Sequence, residues 1–210
     1  MKISSINRQT GIPIRELNRL NSDRWFHGTS LQGAKSLQDL GVIASYNIGN
    51  MLDFGAGFYL TYSKEKADSY ISRVPVITKD YAVTQRTTWA VIEYSFNPYK
   101  LLFGDPQNDQ DGINIYQFKN FPHHDDEFAR FVFFNRLYNS HNETPHKIDV
   151  IWGVMSDNRP DQIVQDYQNG KIAYAAAIEK FKKSNSMRQL YIGNQAICDM
   201  LKLEQIYEHK

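Results

Sequence analysis

The sequence predicts an α+β domain, and three observations carry that reading. Short segments rich in β-branched and aromatic residues alternate with segments of helical apolar spacing, and each strand segment is bounded by turn signals. Their order does not repeat as a regular βαβ alternation, which points to strands that pair mostly antiparallel.

The elements follow in chain order. Residues 1–22 read as a helical arm: INRQTGIPIRELNRL has the apolar spacing and central TGIP turn of a helix-turn-helix pair. The arm holds too little helix for a whole DNA-binding domain, so a capping or packing role is expected of it. The remainder, 23–210, is read as one domain, since it contains no repeat, low-complexity tract or Pro/Ser-rich linker. RWFHG (24–28), GFYLT (57–61), TTWAVIEYSF (87–96), IDVIWGVM (148–155) and RQLYI (188–192) are the strand segments. SLQGAKSLQDLG is a helix ended by Gly41, and KEKADSYISR is a helix capped by Ser63. DDEFARFVFFNRLYN sets Phe128, Phe131, Val132 and Leu137 at helical spacing, and PDQIVQDYQNG stops at Gly170. NQAICDMLKL, capped by Asn194, is the last expected helix.

Composition narrows the function classes. A chain of 210 residues with 24 Lys and Arg against 23 Asp and Glu carries a net charge of only +1, so no global field draws it to nucleic acid or to an anionic membrane. No apolar run is long enough to span a bilayer and the N-terminus lacks a signal-type apolar region, so a soluble, cytoplasmic protein with no membrane partner is expected. Cys198 is the sole cysteine, which excludes an intramolecular disulfide and any multi-cysteine zinc site; it reads as a small packing residue.

Most motif classes are absent. Gly55-Ala-Gly57 lacks the third glycine of a dinucleotide fingerprint and the Gly-Lys-Thr of a P-loop. There is no HExxH and no G-x-S-x-G elbow. The run His123-His124-Asp125-Asp126-Glu127, taken with His141 and His146, has no standard metal spacing; no metal is expected, and the acidic residues suit a helix N-terminus.

Two segments stand apart, FHGTS at 26–30 and DFGAGFYLT at 53–61. A histidine ending an apolar strand before a glycine presents an imidazole beside an unobstructed backbone N–H and C=O, which suits a flat carboxamide ring. Tyr59, two residues past a glycine turn, is placed to stack on a cationic pyridinium. Read by themselves, Phe58 and Tyr59 are core aromatics and His27 a hydrogen-bonded core histidine.

His-Gly-Thr on a strand followed by DFGAGFYLT resembles the opening of an ADP-ribosyltransferase fold, and the wording is similar to the bacterial family DUF3990. The resemblance continues through DDEFARFVFFNR, IDVIWGVMSDN, IVQDYQNGKIAYAAAIEKFK and RQLYIGNQAICDML, so it covers roughly 24–205 in order. It implies short, mostly antiparallel strands in two small sheets with flanking helices. It further implies NAD as co-substrate and transfer of ADP-ribose to a macromolecular acceptor, and the near-neutral charge places protein ahead of nucleic acid as that acceptor. In a toxin setting it adds a cognate inhibitor protein as partner.

Matched by position, His27 would bind a ribose hydroxyl of NAD, Gly28 the nicotinamide amide through its backbone, with Thr29 assisting. Tyr59 would stack on nicotinamide, and Asp53 and Phe58 of the same motif join the binding set. The catalytic set becomes His27, Tyr59 and Gln189, the last standing where the superfamily usually has glutamate. A carboxylate there would stabilise the cation formed as nicotinamide leaves. Gln189 keeps an acceptor without the charge, and Glu93, Glu127 or Asp53 are the other carboxylates that could serve. NAD hydrolysis and a non-catalytic NAD-binding module remain the alternatives.

Overall fold

The structure, a computed structural model, describes residues 12–48, 52–77, 83–104, 116–139, 141, 144–156, 160–183 and 187–210. Its elements in chain order are α1 (Ile14–Leu20), β1 (Arg24–Thr29), α2 (Leu31–Leu40), β2 (Phe58–Leu60), α3 (Lys64–Ile71), β3 (Val76–Ile77), β4 (Val83–Thr84), β5 (Trp89–Ser95), α4 (Pro98–Phe103), β6 (Phe118–Phe121), α5 (Asp126–Asn139), β7 (Val150–Val154), α6 (Pro160–Gln168), α7 (Tyr174–Phe181), β8 (Arg188–Ile192), α8 (Gln195–Cys198) and β9 (Lys202–His209). The class is α+β, with two small, mostly antiparallel sheets and a two-stranded ribbon of β3 and β4. The first helix expected in the N-terminal arm lies outside the described residues, as do Thr10 and Gly11 of its turn.

Several helix limits follow from capping chemistry. The Ser30 Oγ accepts from the Gly33 amide at 2.9 Å to open α2, and Gly41 at φ +75° closes it. Ser63 Oγ accepts from Lys66 N at 3.3 Å to open α3. At α5 the Asp125 carboxylate accepts from Phe128 N at 2.9 Å, so this part of the acidic run caps a helix.

The chain forms two compact units, 1–42 with 60–115 and 199–210, and 43–59 with 116–198. In the first, the sheet order is β1-β5-β9, antiparallel throughout, with a bulge between Glu93 and Tyr94. Trp25, Ala90, Val91, Ile92 and Tyr94 are buried there together with Ala67 and Ile71 of α3. Leu17 and Leu20 of α1 are buried in the same unit, and α1 packs on α4. The C-terminal helix is shorter than the sequence suggests. It ends at Cys198, and the chain continues as β9, whose residues from Lys202 to His209 pair along the full length of β5.

In the second unit the sheet order is β2-β8-β7-β6. β7 and β8 are antiparallel, whereas β6 and β7 are parallel and joined through α5, a βαβ unit inside a mainly antiparallel fold. One core cluster joins Phe54, Phe121, Ile151 and Tyr191 to Phe128, Val132 and Phe133 of α5 and to Ala177, Ile178 and Phe181 of α7. Gly153 on β7 makes room for it: a Cβ there would lie 3.1 Å from the Phe54 ring and 3.0 Å from Phe121 Cβ.

Candidate functional site

Asp53, the first residue of the DFGAGFYLT motif, is 4% exposed and is the hub of a polar cluster inside the second unit. Its Oδ1 accepts from Arg136 Nε at 2.9 Å and from Arg136 Nη2 at 2.6 Å, and from the Ser156 hydroxyl. Its Oδ2 accepts from the Ser156 amide at 2.8 Å and from Gln189 Nε2 at 2.9 Å. Arg136 also donates through Nη1 to Asp161 at 2.8 Å. Burial would raise the Asp53 carboxyl, but the Arg136 charge and the Ser156 hydrogen bonds outweigh it, and the group is held below the ordinary carboxylate value of 3.8. A buried carboxylate with this many donors is a fixed structural anion.

This geometry gives a local reason for glutamine at 189. Gln189 is 8% exposed and its amide nitrogen donates to an ionised carboxylate, which a glutamate side chain could not do while charged. Arg136 is positioned by the helical repeat, because 128, 132 and 136 form one stripe on α5 and that stripe faces the core. A cation continuing the apolar stripe was the sequence signal for Arg136; Ser156, just after β7, had none.

The motif's two glycines have different physical causes. Gly55 has φ +83°, a left-handed conformation that favours glycine. A Cβ on Gly57 would sit 2.1 Å from the Tyr191 ring, so the absence of a side chain permits that contact. Four side chains then tie the turn down. Asn47 donates to the Gly57 carbonyl at 2.7 Å and accepts from its amide at 2.9 Å. Tyr191 OH donates to the Ala56 carbonyl at 2.9 Å. Tyr59 OH donates to the Gly55 carbonyl at 2.8 Å and accepts from the Phe54 amide at 3.0 Å. His146 Nε2 donates to the Phe54 carbonyl at 2.8 Å while its Nδ1 accepts from Ile148 N at 3.1 Å.

Those two bonds define His146 as the neutral Nε2–H tautomer, and burial holds its pKa below the ordinary 6.5. Burial, reinforced by Tyr191 and Asp53, pushes the Tyr59 phenol well above its ordinary range, so it acts here as a neutral hydroxyl. The Tyr59 ring is half-buried, nearly parallel to Phe54 at 6.4 Å and edge-on to Tyr191 at 5.4 Å. Phe58, on β2, is 7% exposed.

His27, Gly28 and Thr29 follow one another along β1 in the first unit, opposite Ile92, Val91 and Ala90 of β5. Phe26 exchanges both backbone hydrogen bonds with Thr61, at 2.8 and 2.9 Å, on the side of β1 away from β5. The backbone groups of a strand alternate in direction, so the Gly28 N–H and C=O, two residues on, face the same outer edge as those of Phe26. Gly28 also permits close packing, since a Cβ there would lie 2.7 Å from the Ala67 carbonyl oxygen of α3. The Thr29 side chain lies against Gly33, where an added Cβ would meet its Oγ1 at 2.3 Å.

The structure thus joins Asp53 and Gln189 by a direct hydrogen bond and ties Tyr59 of β2 through its hydroxyl to the turn that Asp53 opens, while His27, Gly28 and Thr29 follow one another on β1. Of the other carboxylates, Glu93 is 6% exposed and accepts from Tyr207 OH at 2.7 Å, with Arg24 Nε 3.4 Å away. Glu127 is exposed and paired with Lys119 at 2.5 Å. No helix among the described residues is long and apolar enough to cross a membrane.

Comparison with curated proteins returns no match. Residues 36–203 match the family model described as a protein of unknown function, DUF3990. The match opens inside α2, so it contains Asp53, Phe58, Tyr59 and Gln189, whereas His27, Gly28 and Thr29 precede it. With four-fifths of its length inside that match, and with the DFGAGFYLT turn and the β8 segment that anchors it both included, the chain belongs to the DUF3990 family.

Proposed function

We propose that this chain is an NAD-dependent ADP-ribosyltransferase-like enzyme whose nicotinamide-recognition strand is β1. One observation carries the proposal: the outward-facing N–H and C=O of Gly28, immediately after His27. A primary carboxamide has one acceptor and two donors in a plane, and a single strand residue offers the matching donor and acceptor. His27 is assigned to a ribose hydroxyl and Thr29 assists. In the reaction the C–N bond between nicotinamide and ribose breaks with its electron pair leaving on nicotinamide. The acceptor's lone pair then bonds to the ribose carbon, and the acceptor loses a proton. The resemblance of the HGT and DFGAGFYLT segments to the ADP-ribosyltransferase superfamily supports the same reading, with a protein acceptor preferred by the near-neutral net charge of +1.

A second reading is favoured by the environment of Gln189. Its amide nitrogen is committed to Asp53, and it brings no negative charge to stabilise a ribosyl cation. An NAD-binding module that does not cleave the ligand would tolerate that arrangement. Incubating the purified chain and a cell lysate with NAD labelled on both the nicotinamide and the adenine separates these readings. Labelled macromolecules with released nicotinamide support transfer, and released nicotinamide alone supports hydrolysis. A thermal shift with neither identifies the module, and absence of all three overturns the proposal.

A further inference from the structure

Wholly within the second unit lies a pocket of about 520 Å³, walled by Ala44, Ser45, Ala56, Thr144, Lys147 and Tyr191 among others. None of its lining residues belongs to β1, the strand to which NAD recognition is assigned. Its polar wall divides into groups already committed and groups that are not. His146 has both ring nitrogens engaged, and Tyr191 OH is on Ala56. Asp149 accepts from Gln117 N at 2.7 Å and from Asn194 at 2.8 Å, and Gln195 accepts from Ala44 N at 2.9 Å. The Lys147 ammonium and the Ser45 and Thr144 hydroxyls have no polar partner among the described residues. These three groups, one cation and two hydroxyls, are the ones the wall offers to an anionic ligand, and its carboxylate, Asp149, already takes two donors.

We infer that this pocket binds a small phosphorylated metabolite. A phosphate presents several strong acceptor oxygens to converging donors and is recognised by lysine as a point charge. The volume exceeds what a free phosphate fills and lies in the range of small-molecule sites. Ala44, Ile48, Ala56 and Ile148 give the rest of the wall an apolar character that suits the organic body of a nucleoside or similar group. Because Ala56 belongs both to this wall and to the 53–57 turn, an occupant touches the turn that Asp53 opens.

The test uses thymidine 5′-monophosphate, which lacks the nicotinamide and adenine of NAD, with thymidine and inorganic phosphate as controls, titrated calorimetrically into the full chain. Thymidine 5′-monophosphate is expected to bind more tightly than either control. Lys147→Ala, a change at an exposed side chain, should weaken it by about tenfold or more, as loss of a charge-assisted contact does. Thr144→Val should weaken it further, and His27→Ala should leave it unchanged. No binding at millimolar ligand, equal affinity for thymidine, or indifference to Lys147→Ala overturns the inference. Loss in His27→Ala with retention in Lys147→Ala would assign the nucleotide to β1 and equally overturn it. Failure of NAD to bind would leave these titrations unaffected, so the two proposals fail separately.

Discussion

At the scale of single residues, the Asp53 cluster sets the sharpest expectations. Gln189→Ala removes a hydrogen bond to a buried carboxylate and should lower stability by roughly 1.5–3 kcal/mol in denaturant unfolding. Gln189→Glu should cost more at neutral pH, because it brings a second carboxylate against Asp53, and the deficit should shrink as the solution is acidified and the introduced carboxyl takes up a proton. A Gln189→Glu variant as stable as the parent would show that the two side chains do not meet. Asp53 itself is held below 3.8, so the stability it contributes is fully present above that pH and is lost as the pH falls through its lowered value. Asp53→Asn removes the buried anion of Arg136 and leaves it only the exposed Asp161 carboxylate, and should cost about 3 kcal/mol. Tyr59 separates ring from hydroxyl: Tyr59→Phe keeps the ring packing against Phe54 and Tyr191 but unpairs the Phe54 amide and Gly55 carbonyl, for a loss of roughly 1–3 kcal/mol. An unchanged melting temperature in that variant would contradict the role given to its hydroxyl.

At the scale of elements, the 53–57 turn is stabilised by contacts distant in sequence, and His146 makes one of them pH-dependent. Its folded pKa lies below the ordinary 6.5, so its contribution is complete above that value. As the pH drops below 6.5 the unfolded chain takes up the proton first, and stability falls until the folded pKa is passed. Urea midpoints measured between about pH 7 and 5 should therefore decline in the parent and flatten in His146→Asn. Gly57→Ala drives a methyl into the Tyr191 ring and should destabilise by roughly 1–3 kcal/mol. Much of the element pattern is legible from local signals: β1, α2, α3, β5, α5, β7 and β8 carry strand-forming residues, caps or helical stripes within their own segments. α4 has the Asn97 cap and Pro98 at its first position, but its six residues are too few for a helical stripe to show. β6 and β9 are not legible, because FKNF and KLEQIYEH become strands by pairing with β7 and β5, gains that no local window contains. Within the candidate site, the glycine turn and Asp53 announce themselves, whereas Ser156 and Asn47 act only through neighbours brought in by the fold.

For the whole molecule, the expectations concern what each unit needs to stand and what the chain binds. Leu17 and Leu20 of α1 are buried and Glu16 is 5% exposed, so deleting residues 1–20 should lower the thermal stability of the first unit by the loss of that apolar burial. NAD turnover per folded molecule should persist, since the deletion ends before His27, and its disappearance from a still-folded truncation would place part of the site in the arm. The most direct measurement is a calorimetric titration of NAD into the full chain and into His27→Ala, with folding of both verified by circular dichroism. The predicted result is saturable binding by the parent and affinity weakened by about tenfold or more in the variant. A folded parent that takes up no NAD at millimolar concentration, or a variant that binds as tightly as the parent, would contradict the assignment of β1 as the nicotinamide-recognition strand.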